Sequence, residues 1–202
     1  YRVSGPDAER FLNRLVTCDV RRLKTGKVGY AVLCDDHGHV IDDWLVFRFG
    51  PQEFRVCCTE RQLDWMADSA IGYDVHFQDV TADIAALALQ GPTSYAVLRA
   101  MGLQGLDALK PQAISHHEFE GHALMVSRTG FTGDLGYELW IAPEGATLLW
   151  NRLMQAGHTR GVRPIGLQAL DMARIEAGLL LPDSEYISSL HTVRIGREST
   201  PW

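Results

Sequence analysis

The sequence predicts an α+β protein made of two ferredoxin-like, βαββαβ-type units packed side by side. Runs with strand periodicity alternate with runs at helical spacing along the chain. The stretch Leu87-Ala88-Leu89-Gln90-Gly91-Pro92-Thr93-Ser94 repeats the strand, Gly-Pro, helix arrangement of Val3-Ser4-Gly5-Pro6-Asp7. After each copy the order is close to strand, helix, strands, helix, strand. The expected boundaries are residues 1–82 for the first unit and 83–183 for the second, with 184–202 as a linker or return segment.

In the first unit, a strand ends at Val3-Ser4 and feeds a helix, with Ser4 or Gly5 near the cap and Pro6 in the first turn. Ala8, Phe11, Leu12, Leu15 and Val16 recur at helical spacing, so that face turns inward. A strand over 28–34 then meets the turn Asp35-Asp36-His37-Gly38, and a second strand runs on to Phe49. A third strand covers 54–59. A helix over 62–71 buries Leu63, Met66, Ala67 and Ala70, and Val75 and Phe77 mark a short closing strand.

The second unit opens with the repeated strand and a helix carrying Tyr95, Leu98 and Met101 at helical spacing. Residues 102–111 read as a connection. Strand character over 119–128 is broken by a turn at Glu120-Gly121, and another strand covers 136–142. A helix over 143–156 buries Ala146, Leu149, Trp150 and Leu153, and a further helix spans 166–177.

Composition excludes several function classes. A chain of 202 residues with 46% hydrophobic and 22% charged residues can bury a substantial core. Its net charge of −6 argues against nucleic acid as the main partner, because phosphate binding needs a basic footprint. No apolar run is long enough to span a bilayer, and nothing resembles a signal peptide. Cys18, Cys34, Cys57 and Cys58 lack the spacing of a metal knuckle, so no metal is expected. They read as small hydrophobes of a reducing compartment, with the cytoplasm as the default. The sequence starts without Met inside a strand and stops at Pro201-Trp202, so it reads as a fragment.

Three stretches could carry chemistry. On the strand after the hairpin turn, alternation puts Asp43 on a face with Leu45, Phe47 and Phe49, and Asp42 on the other with Trp44 and Val46. Asp43 is either a carboxylate losing solvation on an apolar face or one of two acids still wet near a hairpin mouth. The second stretch is Arg128-Thr129-Gly130-Phe131-Thr132-Gly133-Asp134-Leu135-Gly136-Tyr137-Glu138-Leu139. Its glycines imply close backbone approach at a turn leading into a strand. Glu138, on the face of Trp140, either accepts two parallel N–H bonds from a planar guanidine-like edge or pairs with a surface arginine. The third stretch, Ile165 through Gly178, reads as a core helix with an Asp171–Arg174 ion pair.

Taken in order, Gly5-Pro6, Thr17-Cys18-Asp19-Val20, Gly38 through Asp43, Gln90-Gly91-Pro92, Arg128 through Glu138 and Ile165 through Gly178 resemble the glycine-cleavage T-protein (aminomethyltransferase) family. The resemblance covers essentially the whole chain and corresponds to that family's folate-binding region. It implies that the family's N-terminal segment and C-terminal β-barrel are missing, with 184–202 leading toward the latter. It also implies tetrahydrofolate as cofactor, and a small-molecule one-carbon donor or a lipoyl carrier protein as partner. By the same resemblance, Asp43 is the acid beside the reacting nitrogens and Glu138 holds the pterin's amide and amino edge. Tyr30 and Phe131 are implied aromatics of the folate site. Leu170 stands where the family usually has an arginine, a loss of fixed charge that bears on the donor. The implied activity is therefore one-carbon transfer of the aminomethyltransferase type. A folate-dependent O-, N- or S-demethylase is the alternative enzyme, and a non-catalytic folate-binding module the alternative of another class. Arg174 and Glu176 match a helical pair that reads as structural.

Overall fold

In the computed structural model, which describes residues 1–194, the first strand β1 (Arg2–Ser4) lies between two later strands. Val3, fully buried at its centre, explains the placement: an apolar residue so early in the chain is best covered from both sides. After β1 come α1 (Ala8–Leu15), β2 (Lys27–Cys34), β3 (Val40–Gly50), β4 (Glu53–Cys58), α2 (Leu63–Ser69) and β5 (His76–Gln78). The five strands form one antiparallel sheet in the order β2-β3-β4-β1-β5.

The next strand, β6 (Ala85–Gln90), starts the plan again with α3 (Ser94–Ala100), β7 (Ile114–Phe119), β8 (His122–Ser127), β9 (Gly136–Ile141) and α4 (Pro143–Gly157). Its sheet has the order β6-β9-β8-β7, which matches β1-β4-β3-β2 position for position. Each unit thus has three strands between its two helices, one more than the βαββαβ pattern, and the added strand (β2 or β7) is at the sheet edge. Only the first unit closes with a strand, β5. In the second, α4 is followed by a 3-10 turn, His158–Arg160, and then α5 (Leu167–Glu176). Among the described residues, the chain divides into Thr81–Leu179 and a unit made of Tyr1–Val80 with residues 180–194.

The two Gly-Pro joints are built alike. Gly5 and Gly91 have φ of 130° and 114°, a region other residues avoid. Each donates its N–H across its unit, Gly5 to the Gln52 carbonyl at 3.1 Å and Gly91 to that of Leu135 at 2.8 Å. Each carbonyl then accepts the N–H three residues on, from Ala8 and Ser94. The first helix therefore starts later than its sequence suggests. Asp7, not Ser4 or Gly5, is the cap residue, and its carboxylate accepts the Asp74 N–H at 3.0 Å.

Phe11, Leu12, Ile41, Trp44, Val46, Phe54 and Met66 close the core of the first unit. Val97, Leu98, Leu124, Val126, Leu139 and Leu149 do so in the second. Each such burial stabilises by about 1.5–3 kcal/mol.

Several sequence expectations fail locally. β7 lies where 114–118 carried no strand assignment, because Ser115, His116, His117 and Glu118 offer little apolar alternation. The turn that pairs it with β8 is as expected: Glu120 and Gly121 both have positive φ, 48° and 86°, the two-residue form that suits strand twist. Trp150 was expected to be buried but is 43% exposed, since Leu149 and Leu153 already fill the inward stripe of α4. Leu63 and Ala67 likewise face outward on α2, leaving Met66 as its buried residue. α5 is not a core helix: Leu167, Met172 and Ile175 are exposed, and its buried residue is Arg174. The guanidinium tolerates burial because it donates to Asp171 at 2.7 Å and to the Leu179 carbonyl at 3.2 Å.

The stretch expected to be a linker also carries structure. Tyr186, Ser188 and Ser189 are buried, and α6 (Ser189–Arg194) packs against β3. Residues 195–202 of that segment lie outside the described residues. Among the described residues, no helix is long and apolar enough to cross a membrane.

Candidate functional site

The β2–β3 hairpin sets the geometry around Asp43. Its register pairs Tyr30 with Leu45 and Val32 with Asp43, so Tyr30 and Asp43 are diagonal neighbours on one face. The Tyr30 hydroxyl donates to Asp43 Oδ2 at 3.0 Å, and Thr59 donates more weakly to Oδ1 at 3.5 Å. Asp42, next in the strand, turns to the core side with Trp44 and Val46 and is 1% exposed. Its Oδ1 accepts the Asp43 N–H at 2.9 Å, and its Oδ2 accepts the N–H groups of Thr59 at 3.1 Å and Glu60 at 3.3 Å. The adjacent acids therefore divide their work. Asp42 ties the end of β4 to β3 through backbone bonds, while the Asp43 carboxylate accepts from the hydroxyl groups of Tyr30 and Thr59.

Electrostatics follow from this arrangement. Burial raises the Asp43 pKa above the usual carboxylate range, and the bonds from Tyr30 and Thr59 offset part of that rise. Burial raises Asp42 as well, against the opposing pull of its backbone donors. The Tyr30 phenol is pushed up to about 12 by burial, the Asp43 charge and the bond between them, although half of the residue remains exposed. Asp42 is buried, and Asp43 is half-buried.

In the second unit, Ser127 and Glu138 face each other across β8 and β9. The Trp140 indole N–H donates to Ser127 Oγ at 3.0 Å, Ser127 Oγ lies 2.7 Å from Thr129 Oγ1, and Thr129 donates to Glu138 Oε2 at 2.6 Å. Since Thr129 gives its one proton to Glu138, Ser127 gives its own to Thr129. The protons then run in one direction, toward the carboxylate, and each bond polarises the next. Ser127 is also 3.5 Å from Oε2. No described residue donates to Oε1. Burial raises the Glu138 pKa, and the Thr129 and Ser127 bonds oppose the rise. Glu138 thus pairs with hydroxyl groups rather than with a surface arginine.

The glycine-rich stretch before β9 folds around Gln90. A side-chain carbon on Gly130 or Gly136 would collide with the Gln90 amide. Gln90 Nε2 donates to the carbonyls of Thr129 and Tyr137 at 3.4 Å, and Thr132 donates to Gln90 Oε1 at 3.3 Å. Gln90 thereby fixes the loop that carries Thr129 and Phe131, and Phe131 is half-buried within it. Gly133, with φ of 73°, packs against Ala177 at the end of α5.

Of the residues singled out by sequence, Tyr30 and Asp43 come together in the first unit. Glu138 and Phe131 occupy one strand and its preceding loop in the second. Sequence reasoning passed over Thr129, Ser127 and Gln90. Strand alternation could have found Ser127, the cross-strand partner of Glu138, but the Gln90 contact depends on loop closure. It also passed over Tyr186, which is 8% exposed. Its phenol is held well above the ordinary range by burial first, then by the charges of Asp43 and Tyr30.

The family model for the GCVT N-terminal domain matches residues 1–198. An aminomethyltransferase of Lysinibacillus sphaericus (strain C3-41) is 35% identical over 199 residues, 96% of this chain and 54% of the relative. One of Clostridium botulinum (strain Loch Maree / Type A3) is 36% identical over 199 residues, with the same shares. The chain thus spans about half the length of the curated relatives it matches. Among solved structures, the glycine cleavage system aminomethyltransferase T from Bartonella henselae superposes with a TM-score of 0.79 at 27% identity, covering 93% of this chain and 51% of that one.

Proposed function

The chain belongs to the GCVT N-terminal domain family, and we propose that it is the tetrahydrofolate-binding part of a one-carbon transferase of the aminomethyltransferase type. The observation that carries this reading is the Tyr30–Asp43 pair: a carboxylate drawn out of water, held by a phenol, with one oxygen facing only a long hydroxyl contact.

Glu138 fits a planar donor edge such as a pterin's amide and amino groups. Its Oε2 is taken by Thr129, while Oε1 accepts no bond from a described residue. Tetrahydrofolate, when bound, supplies the N5 nucleophile that takes the one-carbon unit. Glu138 orients that group, and the relay from Trp140 keeps the carboxylate aligned. Phe131 offers ring contact from the loop, and Tyr30 lines the Asp43 side. Asp43 orients the reacting nitrogens and moves a proton as the leaving amine departs. We assign that transfer to Oδ1, because Oδ2 is occupied by Tyr30. In the whole protein the donor would be an aminomethyl group on the dihydrolipoyl sulfur of a carrier protein; its carbon would pass to the folate as a methylene bridge, releasing ammonia and the carrier's free dihydrolipoyl thiol. We place the activity in the cytoplasm, where the four free thiols are at home.

Leu170 favours a second reading. An apolar side chain on α5, where the family usually carries arginine, suits a folate-dependent demethylase that moves a methyl group to N5. Ammonia release from an aminomethyl-lipoyl donor separates the two.

Asp43→Asn tests the assignment. It should lower turnover by about 10²-fold or more, the usual weight of a general acid–base group, while folate affinity changes only a few-fold. Turnover near the parent rate would overturn the role given to Asp43.

A further inference from the structure

After α5, the segment 180–194 returns to the first unit, where α6 packs against β3, the strand of the two aspartates. It is held by named contacts. His191 Nε2 lies 2.7 Å from Glu60 Oε1, and His191 Nδ1 lies 3.5 Å from Asp183 Oδ1. Between these anchors the segment turns back on itself, with the Asp183 N–H donating to the Tyr186 carbonyl at 2.7 Å and Pro182 bridging to Tyr186. Glu60 is in turn tied to the acid pair, since its N–H donates to Asp42 Oδ2 at 3.3 Å. A continuous set of bonds therefore runs from Asp42 through Glu60 to His191, and Tyr186, which lies between Asp183 and His191 in the chain, is buried.

We propose that residues 180–191 form a strap that brings the ring of Tyr186 against the Tyr30–Asp43 pair, making Tyr186 a third positioning residue of that site, with His191 as the clamp on Glu60. The ring acts through Asp43. It excludes water from one side of the carboxylate, while Tyr30 supplies the direct hydrogen bond. The Tyr186 phenol remains neutral, because burial and the neighbouring Asp43 and Tyr30 disfavour its ionised form. Among the described residues, the titratable groups on the elements packed about Asp43 include Asp42 on its own strand, Tyr30 on β2, Cys58 at the end of β4, Glu60 after it, and Asp183, Tyr186 and His191 on the strap. This inference rests on reading Asp43 as a site acid, but its test needs no folate.

The test is a carboxyl-carbon NMR titration of the intact protein labelled at aspartate, with the Asp43 signal assigned by its loss in Asp43→Asn. Tyr186→Ala opens the wall and His191→Ala releases the clamp. Each should lower the Asp43 midpoint by roughly half a pH unit or more. Tyr186→Phe keeps the ring and should retain most of the parent value. A shift in Tyr186→Phe as large as in Tyr186→Ala would overturn the role of the ring. An unmoved Asp43 in folded His191→Ala would overturn the strap. Should Tyr186→Ala fail to fold, His191→Ala decides, with a downward shift supporting the strap and none refuting it. Tetrahydrofolate binding is measured separately, so a protein that binds none leaves the titration result standing.

Discussion

Replacing Thr129 by Val keeps the shape of the side chain and removes the proton that ends the relay on Glu138. The lost bond spans 2.6 Å and has a carboxylate acceptor, a class worth about 1.5–3 kcal/mol. Part of this is recovered. Ser127, 3.5 Å from the same oxygen, loses Thr129 Oγ1 as an acceptor and can turn its proton to Glu138. A net loss of about 1–2 kcal/mol is expected, which corresponds to a rise of about one unit in the Glu138 pKa. The sign follows from linkage. Glu138 already has a folded-state pKa above its ordinary value, so it favours the folded state at acid pH. That contribution is lost as pH rises through the folded pKa. Thr129→Val should therefore lose more stability than the parent between acid and neutral pH. A glutamate carboxyl-carbon titration reads the midpoint, and urea unfolding at two pH values reads the stability. A midpoint that stays in place or falls in the folded variant would refute the relay.

Two further outcomes are expected. Gly136→Ala should cost about 1–3 kcal/mol in urea unfolding by overpacking against the Gln90 amide. Most of that cost should vanish when Gln90→Ala is added, and strictly additive effects would show that the two do not meet. Tyr30→Phe removes a donor from Asp43 and should move the acid limb of the pH–rate profile to higher pH by roughly half to one unit. An acid limb that is unmoved or shifted to lower pH would contradict the pairing.

The duplicated plan was legible because Gly5 and Gly91 occupy joints that only glycine adopts easily, and each precedes proline and a helix. The β2–β3 hairpin was legible from its turn residues and alternation, which also separated Asp42 from Asp43. β7 was not, because His116 and His117 blur the period and its pairing with β8 comes from the turn. α5 misled because Leu170 and Ala173 mimic a core stripe, while the residue it buries is Arg174; helical spacing pairs it with Asp171, but its bond to the Leu179 carbonyl depends on how the chain leaves the helix. Glu138 stood out for the company of Trp140. The link between them passes through Ser127, a residue on another strand. Tyr186 lies more than a hundred residues from Asp43 in sequence, so no local pattern suggests the role proposed for it.

Calorimetric titration of tetrahydrofolate into the intact protein, with Glu138→Ala alongside, bears most directly on the proposed function. Clear binding that Glu138→Ala weakens by tenfold or so, equivalent to about 1.4 kcal/mol, is the expected result. No binding by the folded parent protein, or equal binding by Glu138→Ala, would contradict it.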